Sequence, residues 1–96
     1  MRVVWTKTAQ KRLQEILVYI QEEFGDNAKQ QFRSRTMDFT MILQEFPEMG
    51  TLEIKAKNLR GFQLTKQTRV YYRIKGEQIT ILTFFDSRQD PKKRPR

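Results

Sequence analysis

The chain changes its hydrophobic period partway along, and the change separates a helical first half from a stranded second half. From Ala9 onward, Leu13, Ile16, Leu17, Ile20 and Phe24 recur at spacings of three and four, the stripe that an amphipathic helix buries. Thr6 and Thr8 precede the stripe with hydroxyls suited to capping a helix start, and Gly25 follows it with the backbone freedom that commonly ends one. A second stripe, Ala28, Phe32, Phe39, Ile42, Leu43 and Phe46, starts at once and stops at Pro47, with Asp26 or Asn27 as its predicted cap. Helices joined this tightly must turn back on each other as an antiparallel hairpin. Met37 and Met41 fall off the main stripe and are expected to widen the buried face; a ridge for a partner is the alternative.

Beyond the Glu48-Met49-Gly50 turn the period becomes two. Leu52, Ile54 and Ala56 alternate with Glu53, Lys55 and Lys57, which predicts a half-buried strand. Phe62 and Leu64 belong to the next, and Val70, Tyr72 and Ile74 alternate with Arg69, Tyr71 and Arg73 in a third. After the Lys75-Gly76-Glu77 turn comes a strand whose residues Ile79, Ile81, Thr83 and Phe85 are expected on one face and Thr80, Leu82 and Phe84 on the other. Apolar residues on both faces predict a central position in the sheet. Met1 to Trp5 reads as one more short strand before the hairpin. The predicted fold class is α+β: a short N-terminal strand, then an antiparallel helical hairpin packed on a three- to four-stranded antiparallel sheet. Residues 1–86 form the expected single domain. Residues 87–96, with Pro91 and Pro95 among basic residues, form an expected extended or disordered tail.

Composition narrows the chemistry. With 96 residues, one core is the natural expectation. A net charge of +8 attracts polyanions, whether nucleic acid, an acidic protein segment or an anionic membrane surface. No apolar run approaches the roughly 20 residues a membrane span requires, so no membrane partner is expected. Cysteine is absent, which removes disulfides, thiolate nucleophiles and thiolate metal sites, and the cytoplasm is the expected compartment. Histidine is absent too, so any acid–base chemistry must use Arg, Lys, Tyr or carboxylates; no metal, cofactor or small-molecule substrate is expected.

Leu59-x-Gly61, Arg69-Val70-x-Tyr72 and a late strand closing on Phe85-Asp86-Ser87-Arg88-Gln89-Asp90-Pro91, in this order after the hairpin pattern Ala9-x-x-x-Leu13-x-x-Ile16-x-x-Tyr19-Ile20, resemble the RelE/ParE toxins over nearly the whole chain. The resemblance implies the toxin of a type II toxin–antitoxin or plasmid-stabilisation system, a growth inhibitor neutralised by an acidic antitoxin encoded beside it. RelE-like members cut mRNA in the ribosomal A site, whereas ParE-like members inhibit DNA gyrase and are not nucleases. A basic nucleic-acid-binding module without toxic action is the remaining alternative.

Arg69 and Arg73 flank Tyr71 on one strand face, which the hairpin is expected to leave open. The candidate binding residues are Lys66, Arg69, Arg73 and Arg88, joined by Lys92 and Lys93 of the tail. By resemblance, Arg69 and Arg88 match arginines used by RelE-like enzymes, and with Tyr71 they form the candidate catalytic set if the chain cuts RNA. Whether the protein is an enzyme is thus left open. The strand around Phe62-Gln63-Leu64-Thr65 lacks the lysine pair of those enzymes, the tail has no tyrosine, and the long hairpin looks more ParE-like. Inhibition of gyrase is therefore the favoured expectation, and the ribosome with its mRNA the alternative target.

Overall fold

The computed structural model describes residues 1–89. It begins with β1 (Arg2–Trp5), followed by α1 (Lys7–Phe24) and α2 (Asp26–Glu45). β2 (Thr51–Ile54), a single 3-10 turn at Lys55–Lys57, β3 (Leu59–Gln63), β4 (Thr68–Lys75) and β5 (Gln78–Asp86) complete it. All five strands join one sheet in the order β1-β5-β4-β3-β2. Three of its pairings are antiparallel, but β1 runs parallel to β5, with Val3 beside Ile79 and Trp5 beside Ile81. The sheet is therefore mixed, and one strand larger than the antiparallel sheet expected from the sequence. A parallel neighbour needs a long connection to bring the chain back, and the stretch between β1 and its partner contains the helical hairpin.

Thr6 caps α1, its hydroxyl accepting a hydrogen bond from the Ala9 amide at 3.0 Å and donating to the Leu82 carbonyl at 2.8 Å. One side chain thus starts the helix and ties it to β5. Gly25, at φ 93°, ends α1 and begins α2, so the hairpin bend is a single residue and the expected Asp26 or Asn27 side-chain cap is not used. The hairpin lies on one face of the sheet. Ile16, Leu17, Ile20, Phe32, Phe39 and Leu43 meet Val70, Tyr72, Ile79, Ile81 and Phe84 in one buried cluster, with Phe39 stacked on Phe62 at 5.0 Å between ring centres.

Several alternations end differently from their sequence pattern. Tyr71 pairs with Thr83 but Tyr72 pairs with Ile81, so Leu82 is an extra residue in β5 and the strand changes face there. Phe84 consequently joins Ile79 and Ile81 in the core, and Phe85, expected there, is exposed. Burying a Phe is worth roughly 1.5–3 kcal/mol. A ladder hydrogen bond contributes a net ~0.5–1.5 kcal/mol, so the bulge is tolerated. In β2 the alternation stops at Ile54, and Leu52 and Ile54 are both exposed because this strand is the sheet edge and no helix covers it. Met37 and Met41 are also exposed, so they do not widen the buried face of α2. Residues 90–96, including Lys92 and Lys93, lie outside the described residues.

Candidate functional site: the open face of the sheet

Strand alternation sends Thr68, Val70 and Tyr72 toward the helices and Arg69, Tyr71 and Arg73 to the opposite face. The pairing puts Gln63, Gly61 and Leu59 of β3 beside these three, and Phe85, Thr83 and Thr80 of β5 on their other flank. Arg69 lies along this surface. Its Nη2 donates to Glu53 Oε1 at 2.9 Å and its Nη1 to Gln63 Oε1 at 3.2 Å, while the guanidinium stands 5.7 Å from the centre of the Tyr71 ring. Gly61 makes room for it, since a Cβ there would come within 2.7 Å of Arg69 Nε. The glycine of the Leu59-x-Gly61 motif thus has a packing role.

Gln63 extends the network to the turn between β3 and β4, its amide nitrogen donating to the Thr65 carbonyl at 2.8 Å and the Lys66 carbonyl at 3.3 Å. Lys66 itself is exposed on that turn, and Arg73 is half-buried; neither forms an ion pair with a described residue. The face therefore presents two uncommitted cations and one arginine already neutralised by Glu53. That carboxylate was not singled out in the sequence, because β2 and β4 are adjacent to β3 rather than to each other and no local spacing reports such a contact.

Arg88 is placed elsewhere. It stands over the rings of Tyr19 and Phe24 on α1, at 5.3 and 5.8 Å, and grips Asp86 through two side-chain hydrogen bonds. With Ile20, Phe32, Arg35 and Thr65 it borders a hollow of about 430 Å³ at the bend of the hairpin. Arg69 and Arg88 are thus not members of one cluster, although Tyr71 borders one hollow with Asp86, the partner of Arg88.

Tyr72, the neighbour of Tyr71, faces the core and is fully buried. Burial pushes its phenol above the ordinary tyrosine range, against the opposing pull of the Gly50 amide and Arg60. Its hydroxyl donates to the Pro47 carbonyl at 2.7 Å and accepts from the Gly50 amide at 2.9 Å. Arg60 holds the same turn from the next strand, donating to the carbonyls of Glu48 and Gly50. Tyr72 is therefore a structural phenol, unsuited to taking a proton at neutral pH. Among the described residues no group of three His, Cys, Asp or Glu is arranged to hold a metal, and no helix is long and apolar enough to cross a membrane.

A helical hairpin on one side of a five-stranded mixed sheet is the RelE/ParE toxin architecture. Solved structures share it. The chromosomal ParDE system of P. aeruginosa superposes with a TM-score of 0.74 at 20% identity, covering 90% of this chain and 95% of that one. A YoeB/ParE toxin from Agrobacterium tumefaciens gives 0.63 at 15% identity over 90% and 98% of the two chains. A copper-bound mutant toxin from Helicobacter pylori gives 0.64 at 15% identity over 90% and 93%. No curated protein sequence matches. Residues 3–91 match the family described as the ParE toxin of type II toxin–antitoxin system, parDE, and the chain belongs to that family.

Proposed function

We propose that the chain arrests growth as a ParE-like inhibitor of DNA gyrase, performing no chemistry itself, and that an acidic antitoxin silences it. The observation that carries this reading is the state of the open face. Its central arginine is paired with Glu53, and Arg88, the other arginine of the candidate catalytic set, is bound to Asp86. RNA cleavage needs one group to accept the 2′-hydroxyl proton and another to protonate the leaving oxygen, each worth typically ~10²–10⁴-fold. Histidine is absent from the chain and Tyr72 is buried with a raised pKa, which leaves Tyr71, lysines and carboxylates for both tasks.

A non-catalytic binder needs none of these groups. Its cations, Lys66 and Arg73 with Arg69, then serve to hold an anionic target surface or the antitoxin. The RelE-like alternative draws on one feature, the Arg69 guanidinium 5.7 Å from the centre of the Tyr71 ring, which brings two members of the candidate catalytic set together. Two assays in parallel separate the readings. Purified toxin should inhibit gyrase supercoiling and leave ribosome-bound mRNA uncut in a toeprinting assay. A codon-specific cut that disappears in Arg69→Ala would instead assign the chain to the ribosome. If expression without an antitoxin leaves growth unchanged, a non-toxic binding module is the better description.

A further inference from the structure

The open face of the sheet has the make-up of a surface for single-stranded nucleic acid, yet its central cation is turned away from that use. Such surfaces combine cations that follow the phosphates with rings on which bases stack. Tyr71 and the exposed Phe85 supply rings here, and Lys66, Arg69 and Arg73 supply cations. Arg69 adjoins both rings: it pairs with Phe85 on β5, and its guanidinium is 5.7 Å from the centre of the Tyr71 ring.

Features on two other strands converge on that guanidinium. On the edge strand β2, Leu52 pairs with Arg60 and Ile54 with Leu59, so Glu53 is an extra residue with no partner of its own on β3. Bulges of this kind re-aim a side chain. On β3, Gly61 leaves the way clear, because a Cβ there would stand 2.7 Å from both Nε and Nη2 of Arg69. The guanidinium therefore crosses β3, where Nη2 donates to Glu53 Oε1 at 2.9 Å and Nη1 to Gln63 Oε1 at 3.2 Å. The Arg69 side chain is 25% exposed and that of Glu53 33%, a setting in which an ion pair adds little stability, so stability does not account for the arrangement. A phosphate grips an arginine through two parallel N–H donors. Both terminal nitrogens of Arg69 already donate to a protein oxygen, and a phosphate approaching them also meets the charge of Glu53.

We propose that Glu53 is a specificity determinant of the open face: its carboxylate stands in for a phosphate on Arg69 and so discriminates against single-stranded nucleic acid on a surface otherwise suited to it. Non-specific binding of nucleic acid is carried almost wholly by phosphate contacts, so occupying the central arginine weakens it directly. A protein partner is disfavoured less, because apolar contacts hold it as well as charge. The inference rests on the reading of this face as the binding surface, whichever target the toxin meets.

Fluorescence anisotropy of a labelled oligouridine about ten nucleotides long, titrated with the full chain at several salt concentrations, tests it. Glu53→Gln should bind this probe roughly tenfold more tightly than the wild type, with a log–log salt slope steeper by about 0.7, the increment for one more phosphate of a single strand. Adding Arg69→Ala should abolish the gain. Glu45→Gln removes the same charge from the end of α2, on the helical side of the sheet, and should not reproduce it. Circular dichroism checks folding, and if Glu53→Gln fails to fold, Glu53→Thr, a residue suited to a strand, takes its place. Equal affinity in the wild type and the Glu53 variant, a gain matched by Glu45→Gln, or a gain that survives Arg69→Ala overturns the proposal. Gyrase supercoiling and mRNA toeprinting share neither the probe nor the readout, so a failure of the target reading is seen separately from a failure of this one.

Discussion

Arg88 and Asp86 close the last strand together: Arg88 Nε donates to Asp86 Oδ1 at 2.9 Å and Nη2 to Oδ2 at 2.7 Å, while the Arg88 amide also donates to Oδ1 at 2.9 Å. Thr68 adds its hydroxyl to Oδ2 at 2.7 Å from β4. Asp86 has no exposed side-chain surface, whereas Arg88 keeps 23% of its own, so water reaches the cation but not the anion.

Arg88→Ala should therefore destabilise the protein by about 2–3 kcal/mol, less than the ~3–5 kcal/mol of breaking a fully buried pair because the arginine is partly hydrated. Chemical denaturation measures the loss. Any reduction of toxicity in this variant must then be read against its folded fraction, because Arg88 has a structural partner in addition to the binding role expected from the sequence.

The pH dependence of the same pair has a definite sign. Burial pushes the Asp86 carboxyl up, but hydrogen bonds from the Arg88 side chain, Thr68 and the Arg88 amide more than offset this and hold it below the ordinary value. The folded state then binds this proton less readily than the unfolded chain. Its contribution is present above the unfolded value of about 3.9 and is lost as pH falls through the lower folded one. In Arg88→Ala burial is no longer offset by the guanidinium, so the deficit relative to wild type should shrink between neutral pH and pH ~4. A deficit that stays constant over that range in denaturation curves would show that the charge pair is not its cause.

Arg69→Ala should behave differently. Its partner Glu53 is one-third exposed, and pairs of this kind contribute ~0–1 kcal/mol. Thermal melting should therefore change little, while growth inhibition falls if this arginine meets the target. Glu53→Gln offers the complementary measurement: it releases Arg69 without removing it, and potency should hold or rise.

The turn from α2 into β2 depends on Tyr72. Tyr72→Phe leaves the Gly50 amide without its acceptor and should cost about 1–3 kcal/mol. Gly50→Ala should be at least as damaging, because a Cβ there would stand 2.7 Å from the Tyr72 hydroxyl and 2.9 Å from the Gly61 carbonyl. Equilibrium unfolding of the two variants checks both losses.

For the antitoxin, the charge of +8 leads to an association rate that falls steeply with salt and a dissociation rate that changes much less, because apolar contacts set the lifetime. Stopped-flow mixing at several ionic strengths distinguishes this from binding that is electrostatic throughout.

Periodicity alone carried the helical hairpin, its bend at Gly25, and the strands around Val70 and Ile79, because spacing along a chain decides which side chains share a face. The open, cationic side of β4 was legible for the same reason. Tertiary structure decided what no spacing reports. The parallel seat of β1 beside β5 joins residues about the whole domain apart, and the bulge at Leu82 exchanges Phe85 for Phe84 in the core because the hairpin offers a place to only one of them. Leu52 and Ile54 alternate like buried residues yet lie on an edge that no helix covers. Asp86 and Arg88 were visible as neighbours, but their separation from Arg69 depends on that bulge and on the rings of Tyr19 and Phe24, which draw the second arginine to the helical side. Local pattern sets the direction of a side chain relative to its own element; only packing between elements sets what it meets.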